Sequence, residues 1–253
     1  MDNNTSKAGR SILILGASSG IGKACANLLA GNDNTLYLVA RNREAMEEMK
    51  SKLSGTIHII SYDLNDLDGI KDGIFDPIKK NKIKLNAMVY SAGISAFSPV
   101  KVTSVKTMKT VMDVNCMGFC EAARCFYNRS VSEDGAGIVA ISSISSLLFM
   151  KGNLAYTASK SALNSSIKIM AQEFAKRHIR VNAILPARVQ TPMARDKDNI
   201  MAAAVGSDVP LADGQVFGDI PPEIVAENVQ FLLSDTSCYT TGELLTIGGG
   251  WAY

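Results

Sequence analysis

The chain has 253 residues, 47% of them apolar, with 26 Lys and Arg against 24 Asp and Glu and a formal net charge of +2. That length and apolar content fit one large globular domain over residues 1–253. The near balance of charge argues against a nucleic-acid or polybasic membrane role. No apolar stretch approaches a membrane span, and the polar start MDNNTSKAGR leads into a run too short for a signal peptide. The five cysteines form no CxxC pair or zinc spacing, so buried reduced thiols, no metal and a cytoplasmic setting are expected.

Apolar runs alternate with helix-period segments along the chain. A strand at 11–15 precedes a helix at 20–29, and a strand at 35–40 precedes a helix at 43–53. A strand at 56–61 is followed by a helix at 67–80, then a strand at 85–91. A long helical region at 104–128 precedes a strand at 137–142, a helix at 155–177 and a strand at 179–185. A last helix at 222–233 and a short strand at 244–247 close the pattern. Continuous apolar strands separated by helices predict an α/β Rossmann fold, a doubly wound parallel sheet of about seven strands with helices on both faces. Residues 191–222 mix Ala, Gly, Asp and Pro over a length unusual for a connection, which suggests a substrate lid.

Between the first strand and the first helix lies GASSGIG, with Gly16, Ser18, Ser19, Gly20 and Gly22. Glycines there let the backbone approach a pyrophosphate, and the helix that follows offers free amides and a positive dipole end. The second strand ends at Ala40 and Arg41, where an NAD-binding chain usually carries an acid. A guanidinium suits a ribose 2′-phosphate, which favours NADP(H) over NAD(H); an ordinary stacking role on adenine is the alternative for Arg41.

Tyr156 and Lys160 stand four residues apart in YTASK, about one helical turn, so phenol and ammonium share a helix face. A lysine beside a tyrosine is expected to pull the phenol pKa down from about 10 toward neutrality. Ser143 lies thirteen residues upstream of Tyr156 in AISSISS. The only histidines, His58 and His178, sit in no HExxH motif, and GxSxG is absent, so a histidine-based hydrolase is poorly supported.

Taken together, GASSGIG, YDLND, YSAG, DVNCMG, Ser143, YTASK, LPARVQTPM and the closing FLLSDTSCYTTGELLTIGGG resemble the short-chain dehydrogenase/reductase family over residues 11–250, in particular its 3-oxoacyl-[acyl-carrier-protein] reductase-like members. The resemblance implies an NAD(P)-dependent oxidoreductase that moves hydride between nicotinamide and a carbonyl or secondary alcohol. Tyr156 would be the general acid, Lys160 would bind the nicotinamide ribose, Ser143 would hold the substrate oxygen, and Asn115 would hold a water that links Lys160 to solvent. The same likeness implies cofactor contacts from Ile21, Asp63, Leu64, Ala92, Gly93, Pro186 and Thr191.

The family pattern is altered at Tyr90, Ser91 and Asn86, at Ala187 in place of a glycine, and at Gly248 in place of an aspartate. None of these changes removes a catalytic group. Expected substrate-facing residues are Ile94, Ser145, Phe149 and Met193, with Phe97, Leu147, Met150 and Asn153 beside them. The mostly apolar set suits a medium-sized carbonyl compound or an acyl chain, as in a ketoreductase. For a carrier-protein substrate, Lys176, Arg177 and Arg180 would supply one basic side of the entrance, while Ser132 to Asp134 is acidic. Relatives form homotetramers or homodimers, and neither nucleic acid nor membrane is an expected partner. The rival readings are an NAD-dependent alcohol dehydrogenase of the same family and a non-catalytic dinucleotide-binding regulator.

Overall fold

The computed structural model of the chain describes residues 9–31, 33–196 and 215–251. Seven strands form one parallel sheet in the order β3-β2-β1-β4-β5-β6-β7. They are β1 (Ser11–Leu15), β2 (Thr35–Ala40), β3 (Thr56–Ser61), β4 (Leu85–Tyr90), β5 (Ser132–Ile141), β6 (Arg180–Pro186) and β7 (Leu244–Ile247). In β1, Ile12 and Ile14 point into one buried cluster, and Leu13 and Leu15 into another on the opposite face. That is why the strand reads as unbroken apolar sequence rather than an alternation. Each such side chain stabilises the fold by about 1.5–3 kcal/mol.

Helices α1 (Gly20–Leu29) and α2 (Arg43–Lys50) cover one face, together with the late helix α7 (Pro222–Leu233). Helices α3 (Asp76–Lys80), α4 (Val105–Met112), α5 (Gly118–Phe126) and α6 (Leu154–Phe174) lie on the other side of the sheet. The strand order reverses between β1 and β4, and a crevice opens at the carboxyl ends of these strands. A ligand binds in such a crevice in open α/β sheets. No helix among the described residues is long and apolar enough to cross a membrane.

Two helices differ from the sequence expectation. Residues 67–69 stay outside the helix because Tyr62 Oη donates to Asp66 O (2.6 Å) and Gly69 N donates to Asp66 Oδ1 (3.1 Å), holding a turn. The next residues, Lys71–Phe75, form a π-helical turn before α3. Pro77, near the start of α3, has no N–H for the regular helical bond, which favours the wider winding before it. The long helix expected at 104–128 is interrupted by a second π-helical turn, Asp113–Met117, between α4 and α5. Tyr90 Oη donates to Val114 O (2.5 Å) there.

Strand β5 begins five residues earlier than expected, through an irregular stretch where its register against β4 jumps between Ser132 and Gly137. Of the lid expected at 191–222, residues 197–214 lie outside the described ones. All five cysteines are free thiols; Cys238 is exposed and Cys120 half-buried, so burial does not extend to the whole set.

Candidate active site

The crevice between β1 and β4 deepens into a cavity of about 810 Å³. Its floor starts at Gly16, which has φ +85°, where a Cβ would fall 2.5 Å from the backbone nitrogen of Ala92. Only glycine allows the β1 and β4 loops to approach this closely. Ser18, Ser19, Gly20 and Ile21 line the cavity at the start of α1. Ser19 caps α1 without a side-chain hydrogen bond, so the first amides of the helix point to the crevice unblocked by it. Gly22 does not line the cavity but lies behind this turn, where a Cβ would sit 2.1 Å from Gly16 O.

Arg41 reaches the cavity from the end of β2 and is exposed. Asp63, Leu64, Ala92, Gly93, Pro186 and Thr191 complete the expected cofactor lining. A Cβ on Gly93 would lie 3.4 Å from Asn115 Oδ1 and 3.5 Å from Lys160 Nζ, so these two polar atoms face one spot over a bare backbone. A glycine cradle, open helix amides and a lysine beneath a side-chain-free loop fit a dinucleotide.

The candidate reacting groups come from a strand end and one helix. Ser143 follows β5 in a turn stapled to α6. Asn164 accepts from Ser142 Oγ (2.7 Å) and donates to Ser146 Oγ (2.8 Å), which in turn donates to Ser143 O (2.6 Å). Ser143 Oγ accepts from Ser145 N (3.1 Å), which leaves its own hydrogen to donate elsewhere. Tyr156 and Lys160 rise from the first turns of α6 into the same cavity.

Lys160 is 3% exposed, and its Nζ donates to Ile141 O (2.8 Å). Its Nζ stands 5.7 Å from the Tyr156 ring centre. Burial lowers the Lys160 pKa to about 8. The expected lowering of the Tyr156 pKa by Lys160 is overturned. Burial raises that pKa, and the nearby Ser143 hydroxyl only partly opposes the rise. The lysine lends its proton to a backbone carbonyl rather than to the phenol.

Asn115 sits in the π-helical turn and is fully buried. Its Oδ1 accepts from Ile94 N (2.8 Å), while Nδ2 donates to Ile94 O (2.9 Å) and Ser159 Oγ (2.9 Å). Both amide hydrogens are therefore engaged in fixing the loop after β4 against α6.

At the outer end, Ile94, Ser145, Phe149, Met150 and Met193 line the cavity as expected. Phe97, Leu147 and Asn153 do not. Phe97 packs on Gly152, where a Cβ would be 2.8 Å from its ring, Leu147 is exposed, and Asn153 is buried. The basic side expected of Lys176, Arg177 and Arg180 is also overturned. Those residues lie at the amino ends of β5 and β6, across the sheet from Ser143. Arg177 is buried against Asp134 Oδ1 (2.7 Å), and Arg180 against Ser237 Oγ (2.8 Å) and Leu232 O.

Among the lining or supporting groups not foreseen, three stand near the substrate-side loops. Trp251 lines the cavity from beyond β7. Gln215 exchanges hydrogen bonds with Arg188, accepting from its N (2.8 Å) and donating to its O (3.0 Å). Asp219 receives Arg188 Nε on both carboxylate oxygens (2.8 and 3.0 Å). Together with the Val189–Ile220 bridge, they tie the two feet of the 191–222 segment together.

A family model described as enoyl-(acyl carrier protein) reductase matches residues 16–252. The protein belongs to the short-chain dehydrogenase/reductase family. As a member, it is an oxidoreductase that uses a nicotinamide cofactor. It is 32% identical to carbonyl reductase family member 4 of Xenopus laevis over 240 residues, 94% of this chain and 95% of that one. It is 30% identical to 3-oxoacyl-[acyl-carrier-protein] reductase FabG of Thermotoga maritima, covering 96% of this chain and 97% of the relative. A solved short chain dehydrogenase family protein from Francisella tularensis superposes with a TM-score of 0.83 at 28% identity, over 96% of this chain and 99% of that one.

Proposed function

We propose that this enzyme reduces a ketone with NADPH and that Tyr156 delivers the proton. The observation that carries the reading is the meeting of the Tyr156 phenol and the Ser143 hydroxyl in one cavity above a buried Lys160. Burial holds the phenol above its ordinary range, so it keeps its proton at neutral pH, the form a general acid requires. Ser143 donates its free hydrogen to the same carbonyl oxygen, and the two donors stabilise the negative charge that develops there. The bound nicotinamide supplies the hydride.

Lys160 would donate to ribose hydroxyls over Gly93. Asn115 Oδ1 and Lys160 Nζ flank the same spot at Gly93, which supports the relay role for a water there. The preference for NADPH rests on Arg41, an exposed guanidinium at the adenosine end with no acid at the β2 terminus. The 3-oxoacyl thioester named for some relatives is less well supported here, because Arg177 and Arg180 are buried at the far end of the sheet.

A homotetramer or homodimer belongs to the same reading. Exposed Val105 and Ile169 on α4 and α6, and Ile224 and Phe231 on α7, support it. A cytoplasmic setting is supported by the five free thiols.

NADPH and NADH oxidation measured with a panel of ketones tests the proposal. NADPH is expected to give the higher kcat/KM, and Arg41→Asp is expected to lose that preference by about tenfold or more. An Arg41→Asp enzyme that still prefers NADPH as strongly contradicts the assignment of Arg41.

A further inference from the structure

We propose that Trp251 forms a specificity-determining wall at the substrate end, selecting a neutral, flat ring ketone over a straight acyl chain. The inference rests on the ketone-reductase reading and names its substrate class. Trp251 is the only tryptophan in the chain, and it is half-buried in the lining of the cavity that holds Ser143 and Tyr156.

The turn that carries the indole is fixed. Ile247, at the end of β7, accepts a hydrogen bond from Ala187 N (2.9 Å), which ties the turn to the loop after β6. Gly249 and Gly250 then have φ of +57° and +99°. A Cβ on Gly249 would fall 2.8 Å from Gln215 Cγ, and one on Gly250 would fall 3.0 Å from Val216 Cβ. Trp251 N donates to Gly248 O (3.1 Å), and Phe217 N donates to Gly249 O (2.9 Å). The indole packs on the same core cluster as Leu148 and Ala187. A side chain carried this way presents a rigid aromatic surface, which favours offset stacking by another planar ring. A flexible acyl chain gains less from such a wall and loses more rotational freedom beside it.

Charge points the same way. Among the described lining residues the cations are Arg41, Lys160 and Arg188. Arg41 stands at the adenosine end, Lys160 Nζ donates to Ile141 O, and Arg188 Nε is held by both oxygens of Asp219. The Arg188 charge is already balanced by Asp219, so an anionic substrate gains less from it. Apolar Leu148, Met150 and Met193 also line the cavity and suit a neutral carbocycle.

The test compares wild type, Trp251→Leu and Trp251→Phe on α-tetralone and on 2-octanone at saturating NADPH. Trp251→Leu is expected to lower kcat/KM for α-tetralone by about tenfold, mainly through KM, with 2-octanone unchanged and Trp251→Phe close to wild type. Equal losses on both ketones, or no loss on α-tetralone, would overturn the proposal.

Tryptophan emission of the wild-type protein with NADP+ bound gives an arm that needs no variant. α-Tetralone is expected to change it and 2-octanone to leave it unchanged; emission indifferent to α-tetralone also overturns the proposal. Tyr156→Phe separates the two ideas. It should keep the emission change while losing turnover, and turnover retained in that variant would sink the proton-donor reading while leaving the Trp251 result standing.

Discussion

Lys160 shows how placement sets chemistry at the scale of one residue. Its Nζ is taken by Ile141 O, and burial lowers its pKa to about 8 from an ordinary 10.5. Between those two values the unfolded chain holds a proton that the folded chain has released. The unliganded protein should therefore gain stability as pH rises from about 8 to about 10.5, by at most about 3 kcal/mol. Urea unfolding at several pH values should show this rise in wild type and a flatter profile in Lys160→Met. Identical profiles would mean that Lys160 titrates normally.

Tyr156 and Lys160 were legible as candidates in sequence because they lie one turn apart, and Ser143, just beyond a strand, was legible through the resemblance to the family. The direction of the phenol shift was not legible, since it depends on how deeply the fold buries the ring. Asn164, Gln215 and Trp251 were hidden for a related reason. Asn164 acts on Ser142 and Ser146 from 22 and 18 residues away, and Gln215 acts on Arg188 from 27, so no local pattern marks them.

Elements obey local rules until a tertiary contact intervenes. Strands β1, β2, β3 and β7 and helices α1 and α7 begin and end where the apolar runs and flanking Gly and Pro place them. The interior of the 104–128 region was not readable, because its π-helical turn coincides with a hydrogen bond from Tyr90, a residue on β4. That turn is where Asn115 reaches back to Ile94, so an irregular helix and a site residue coincide.

The β1–α1 junction carries the clearest prediction at this scale. Gly22→Ala would place a methyl 2.1 Å from Gly16 O, a backbone atom that cannot yield without moving the cofactor loop. The variant should lose about 1–3 kcal/mol of stability and bind NADPH more weakly. Thermal unfolding and NADPH titration would check both, and a variant that matches wild type in each would show the contact to be soft.

In the whole molecule, the candidate site gathers at the carboxyl ends of the strands, and the residues at the amino ends carry structure. Ser143, Gly16 and Gly93 lie beyond carboxyl ends of strands. Arg177 and Arg180, at the amino ends, anchor the returning chain to Tyr127 O, Ser132, Leu232 O and Ser237. Composition could not make this division, since a basic residue reads alike at either end until the strand direction is known.

The most direct test is NADPH oxidation with a turned-over ketone by wild type and Tyr156→Phe, with NADPH binding titrated for both. Unchanged NADPH binding and a loss of kcat of about 100-fold or more are expected in the variant. Turnover by Tyr156→Phe within a few-fold of wild type would contradict it.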